Sequence, residues 1–152
     1  MTAISPLQLI HKKGIFGDHH KQNESDLLNI LEIKNLTIVQ IVQYKKSKIN
    51  LNSLKIDGLE FPSQNLKTTS KQNIRILNIA PKNWLLVSSN EYILKKINQT
   101  CDKENFAITD ISHSRAVIQI KGRQAKEILK KGCPINLNKF EKNNRAGTIF
   151  NG

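Results

Sequence analysis

Acidic residues are scarce in this 152-residue, 17.3 kDa chain: twelve Asp and Glu stand against twenty-four Lys and Arg, a net charge of +12 with an isoelectric point near 9.9. Such an imbalance predicts attraction to something acidic: nucleic acid, an anionic membrane or an acidic partner subunit. Aromatic residues make up only 5% of the chain, so no face interleaves aromatic and basic residues as base-stacking surfaces do. The lysines are spread along every segment, which reads first as a solvated surface. Two cysteines, Cys101 and Cys133, form neither a CxxC pair nor a disulfide framework, which points to a reduced intracellular compartment. Glycine is sparse, at seven residues, and no glycine-rich βαβ fingerprint exists to bind a dinucleotide. The apolar start is interrupted at His11, Lys12 and Lys13, too early for a signal-peptide core, and no run is long enough to cross a bilayer. A soluble, cytoplasmic protein is expected.

What is present is one domain's worth of apolar residues gathered in Ile, Leu and Val runs, with 38% hydrophobic residues and a mean hydropathy of -0.42. Residues 1–26 lack periodicity and predict an extended arm, followed by a single α+β domain over 27–152. Leu27 to Ile33 fits a short helix or a strand. Leu36 to Tyr44 is dense in β-branched residues and predicts a buried strand. Residues 47–57 carry Ile49, Leu51 and Leu54 as a weak helical stripe ended by Asp57-Gly58. Ile74 to Ala80 and Trp84 to Ser88 flank Pro81-Lys82-Asn83 as a hairpin; Asn90 should cap an amphipathic helix over 91–100; Phe106 to Asp110 returns as a strand. The resulting βαββαβ order over 36–110 is that of a ferredoxin-like unit. Residues 115–121 then predict a strand, Gly122 a turn, and 123–131 a helix with a Glu127–Lys131 pair and Gly132 as a left-handed C-terminal glycine before Pro134. Gly147 to Phe150 begins another strand. The second unit, 115–152, is thus incomplete, and its open edge requires a cover.

The candidates for chemistry are weak. His11, His19 and His20 with Asp18 lack metal-ligand spacing, and a solvated loop is the stronger reading. Cys101 and Cys133 have no base at a defined spacing and read as packing residues. Asp110, Ser112 and His113 are too close in sequence to converge as a triad. Gly122 after a strand could cradle a phosphate, but a plain tight turn is favoured. Trp84 reads as core rather than as a stacking platform. A binding or scaffolding role follows by default.

Three stretches taken in order carry a family resemblance. Pro81-Lys82-Asn83-Trp84-Leu85-Leu86-Val87 resembles P-x-x-W-L-L-V; Thr109-Asp110-Ile111-Ser112-His113-Ser114-Arg115-Ala116-Val117 resembles T-D-x-S-x-x-R-x-V; and Gly122 through Ala125 and Leu129 to Gly132-Cys133-Pro134 and Leu137 resembles G-x-x-A-x-x-x-L-x-x-G-C-P-x-x-L. These are motifs of the gamma subunit of heterotetrameric sarcosine oxidase, over about residues 30–150. The resemblance implies a fold similar to the folate-binding domain of aminomethyltransferases, the T-protein of glycine cleavage. It implies a non-catalytic, structural subunit of an enzyme that oxidatively demethylates sarcosine to glycine, with the large alpha subunit as chief partner. Flavins, NAD, zinc and tetrahydrofolate would sit in the other subunits and none in this chain. Trp84, Asp110, Ser112, Arg115, Gly122, Gly132, Cys133 and Pro134 are the motif or interface residues so implied. Family members usually continue beyond the position matching Gly147, whereas this sequence ends at Gly152. Two alternatives stand beside this reading: a basic ferredoxin-like nucleic-acid binder, supported by the charge and opposed by the missing aromatic sheet motif, and a folate-dependent methyltransferase fragment with Asp110 as its acid.

Overall fold

The computed structural model describes residues 5–10, 23, 27–64, 67–140 and 145–147. In chain order the elements are β1 (Asn29–Ile33), β2 (Thr37–Gln43), a 3-10 turn at Leu51–Ser53, β3 (Lys55–Ile56), β4 (Leu59–Glu60), β5 (Thr68–Lys71), β6 (Ile74–Ala80), β7 (Asn83–Ser88), α1 (Ile93–Thr100), β8 (Phe106–Asp110), a 3-10 turn at Ser112–Ser114, β9 (Val117–Lys121), α2 (Ala125–Gly132) and a 3-10 turn at Leu137–Lys139. They form an α+β fold of two compact units. Residues 35–112 with Arg145 make one; residues 5–10, 27–34 and 113–140 contribute to the other. The break between the two units falls between Ser112 and His113. Residues 27–34, which the sequence reading attached to one continuous domain, group with 113–140.

The unit of residues 35–112 is built on a five-stranded antiparallel sheet in the order β5-β6-β7-β2-β8. Without the edge strand β5, the order β8-β2-β7-β6 is the 4-1-3-2 arrangement of a ferredoxin-like sheet. Strand alternation puts Val39, Ile41, Trp84, Leu86, Ile74 and Ile76 on one face. Ile93 and Ile97 of α1, four residues apart and therefore on one side of the helix, complete this core with Ile56, Phe61, Cys101 and Phe106. At about 1.5–3 kcal/mol for each large apolar side chain removed from water, these residues are what holds the unit together. Each of the buried apolar residues among those described lies in this unit.

The helix expected over 47–57 is absent. Asn50 Oδ1 accepts from Asn52 N at 3.0 Å and Ser53 Oγ donates to Asn50 O at 2.7 Å, side-chain bonds that compete with helix continuation and leave a single 3-10 turn. Asp57-Gly58, taken from sequence as the helix stop, is the two-residue loop of the β3/β4 hairpin: φ is +53° at Asp57 and +81° at Gly58, the pair of positive values such a loop requires. The expected hairpin at 81–83 is present. Pro81 sets the first turn residue and Lys82 takes φ +59°. Asn90 does not cap α1 directly; its Oδ1 accepts from Tyr92 N at 3.0 Å, an Asx turn that delays the helix to Ile93.

The other unit is an antiparallel ladder of two strands, β1 against β9, with Ile30 opposite Ile120 and Glu32 opposite Ile118. The ambiguous segment at Leu27 to Ile33 is therefore a strand, decided by a partner far away in sequence. Helix α2 follows β9 and buries no side chain fully. Glu127 pairs with Lys130 at 2.7 Å rather than with Lys131. Gly132 is the last residue of α2 and has no positive φ, so the left-handed C-terminal glycine expected there is not formed; Cys133 N closes the helix on Leu129 O at 2.8 Å with φ -112°. The strand expected at Gly147 to Phe150, and the histidines of the arm with Asp18, lie outside the described residues apart from Gly147, which is not in a strand.

Candidate functional site

The motif residues resolve into separate structural duties. Trp84 is 1% exposed; its Nε1 donates to Pro62 O at 3.0 Å, and Phe61 stacks edge-on at 5.2 Å between ring centres. Asn78, opposite Trp84 on β6, sends its Nδ2 to the same carbonyl at 3.0 Å. One carbonyl thus satisfies two buried donors, which pins the 61–62 segment over the sheet. Sequence reasoning missed Pro62 and Asn78. The signal was a polar residue at an inward position of the 74-76-78 alternation. Asn78 Oδ1 itself has no hydrogen-bond partner among the described residues, nor has Arg145 Nε, although Arg145 Nη2 donates to Ile79 O at 3.1 Å.

The segment after β8 is an anchor. Asp110 Oδ1 accepts from both the backbone N (2.9 Å) and the hydroxyl of Ser112, while Ser112 Oγ accepts from Ile38 N at 2.9 Å and Ile111 N donates to Ile38 O at 2.9 Å. The T-D-x-S residues therefore sew the end of β8 to the start of β2. With its hydroxyl committed to Asp110 and to backbone, Ser112 is not arranged as a nucleophile, and Asp110 is exposed rather than set in a deep pocket. Arg115 is exposed, its Nη1 on Ser114 O at 3.1 Å.

Gly122 is a close-approach residue. Its φ is +128°, and a Cβ there would lie 2.7 Å from Leu27 O, so the glycine serves a tight turn against the backbone ahead of β1. Cys133 is partly buried and Pro134 exposed. Burial, with the neighbouring Asp102 charge second, pushes the Cys101 thiol from 9.0 up to about 12; it stays protonated at neutral pH, a packing residue. Asp102 is held below the usual carboxylate range by hydrogen bonds, first from the Asn105 side chain and then from the Asn105 and Glu104 backbone. It caps the turn before β8.

An open groove of about 540 Å³ lies on the larger unit, lined by Asp57, Lys71, Asn73, Ser89, Asn90 and Tyr92 among others, and none of the motif residues borders it. Among the described residues no cluster of three His, Cys, Asp or Glu could hold a metal, and no helix is long and apolar enough to cross a membrane. The strand pairings described are all antiparallel.

No family model and no curated protein matches the chain. Among solved structures it matches a chain of the heterotetrameric sarcosine oxidase of Corynebacterium sp. U-96, determined in complex with pyrrole 2-carboxylate, with a TM-score of 0.69 and 21% identity. In fold, the chain is similar to a sarcosine oxidase chain. The match covers 80% of this chain and 65% of that one, which makes the sarcosine oxidase chain about a quarter longer. At this identity the likeness is one of fold.

Proposed function

We propose that this chain is a non-catalytic, gamma-type subunit of a heterotetrameric sarcosine oxidase acting in the cytoplasm, with a structural and subunit-interface role. The observation that carries the reading is the likeness over four-fifths of the chain to one chain of such a tetramer. Two further observations support it. The matched chain is only modestly longer, as befits a small subunit, and the three motif stretches that suggested this family occur in the expected order along the sequence. In this reading the oxidative demethylation of sarcosine to glycine belongs to the other subunits, chiefly the large alpha subunit. Flavin, NAD, zinc and tetrahydrofolate would be bound there, and the residues of this chain contribute packing and contact rather than a reaction step.

Co-expression of the full chain with the large flavin-dependent subunit of a heterotetrameric sarcosine oxidase is the test. The expected result is a stoichiometric complex, yellow and active on sarcosine, while the chain alone is colourless and inactive. An oxidase that is complete, stable and fully active without this chain, and that does not retain it, would overturn the reading. The +12 charge favours a second reading as a nucleic-acid binder. For a subunit, binding to mixed duplex DNA should be weak and largely gone by about 200 mM salt.

A further inference from the structure

The two units differ in how they treat apolar surface. Large apolar side chains left open among the described residues are Leu9, Ile10, Ile30, Leu31 and Ile118 in the smaller unit, against only Tyr44 and Tyr92 in the larger. Ile30 and Leu31 are adjacent on β1 and point to opposite faces, yet they are 53% and 52% exposed. At that point neither face of the strand is fully covered. The β1/β9 ladder has two strands, and no described strand lies beside the outer edge of either. Two strands on their own are marginal in water, and an open apolar edge is a template for a third.

Charge selects the occupant. The described residues of the smaller unit hold eight Lys and Arg against two carboxylates. Glu32 is buried, its Oε1 accepting from the Ser5 hydroxyl while its Oε2 has no hydrogen-bond partner among the described residues and lies 3.9 Å from Lys34 Nζ; Glu127 is paired with Lys130. Lys34 just beyond β1 and Lys121 at the end of β9 place exposed cations at the ladder's ends. A second copy of this chain would bring the same charge to the same edge and be repelled.

We propose that the open edge of β1 accepts an extended, acidic segment of a partner protein as an added strand, its apolar side chains lying over Ile30 and Leu31 and its carboxylates meeting Lys34 and Lys121. Main-chain hydrogen bonds would supply the register and the side chains the selectivity. The proposal rests on the subunit reading only in taking that partner to be another subunit of the same assembly.

The test uses the full chain and two labelled octapeptides, each with a central Val-Val pair, one flanked by Glu and the other by Lys. Binding is followed by anisotropy, and the contact by hydrogen exchange. The acidic peptide should bind at least about tenfold more tightly than the basic one and slow exchange at residues 29–33. Leu31→Ser, which removes the apolar contact without adding charge, should weaken it about tenfold with an unchanged melting temperature. Lys34→Glu with Lys121→Glu should invert the preference toward the basic peptide, a gain that misfolding cannot produce. Equal binding of the two peptides, protection elsewhere or nowhere, or stronger protection of 29–33 by duplex DNA than by the acidic peptide would overturn the proposal. In the co-expression experiment, Leu31→Ser recovered like the unaltered chain would also overturn it while leaving the subunit reading intact. Peptide binding at β1 without any oxidase complex would remove the subunit reading and keep this one.

Discussion

Cys101 shows how a residue that invites a functional role is explained by its surroundings. Folding raises its thiol from 9.0 to about 12, so above pH 9 the unfolded chain binds fewer protons than the folded one, and stability falls as pH rises, by up to about 1.4 kcal/mol per pH unit until the folded thiol ionises. Cys101→Ala lacks this dependence. The stability gap between the two proteins, read from denaturant melts, should therefore be largest at neutral pH and shrink between pH 9 and 12; a constant gap would show that the folded thiol ionises normally. Lys82 offers a second check at this scale. It holds φ +59°, where a side chain is strained, so Lys82→Gly should stabilise the chain by about 0.5–1 kcal/mol in a thermal melt. Ser112→Ala removes the acceptor for Ile38 N and should cost about 1–2 kcal/mol. If Ser112 is an anchor and the proposed subunit role holds, that loss of stability should be the whole effect, with sarcosine turnover of a reconstituted complex unchanged apart from it.

At the scale of elements, Gly122 ties a turn to a strand. Gly122→Ala places a Cβ 2.7 Å from Leu27 O at a φ that L-residues avoid, so a cost of about 1–3 kcal/mol is expected, concentrated in faster hydrogen exchange at β1 and β9 while β2, β6 and β7 keep their protection. What could be read from sequence at this scale follows a physical line. β2, the β6/β7 hairpin, α1, β8, β9 and α2 carry their own signals: dense β-branched residues, Pro81 in the turn, or Ile93 and Ile97 one helical turn apart. Residues 47–57 failed because the stripe of Ile49, Leu51 and Leu54 coexists with Asn50, Asn52 and Ser53, whose side chains bond the local backbone. Asp57-Gly58 is a helix terminator and a hairpin loop in the same letters. β1 was ambiguous because its deciding contact, β9, is distant in the chain. Of the motif residues, Trp84 was legible as core and Gly122 as a turn, whereas the positive φ assigned to Gly132 depended on a cap that Cys133 provides in extended conformation.

For the molecule as a whole, the concentration of core in one unit makes a strong statement. A fragment of residues 35–112 retains the apolar core described above and should fold by itself, showing blue-shifted Trp84 emission and a cooperative melt. It should be somewhat less stable than the full chain, since the Arg145 bond to Ile79 O is lost. A fragment that stays unfolded would mean that the smaller unit supports the larger more than its lack of buried apolar residues implies.

The pairing of β1 with β9 also sets a schedule. Ile33 is made more than eighty residues before Val117, its partner across the ladder, and the larger unit lies between them in sequence. At ~5–20 residues per second, β1 waits roughly 4–17 s in the nascent chain, apolar and without its mate, while residues 35–112 can already collapse around their own core. During that interval Ile30 and Leu31 are open to a chaperone, to a wrong partner or to the right one. A subunit already present at the ribosome could occupy β1 before β9 exists.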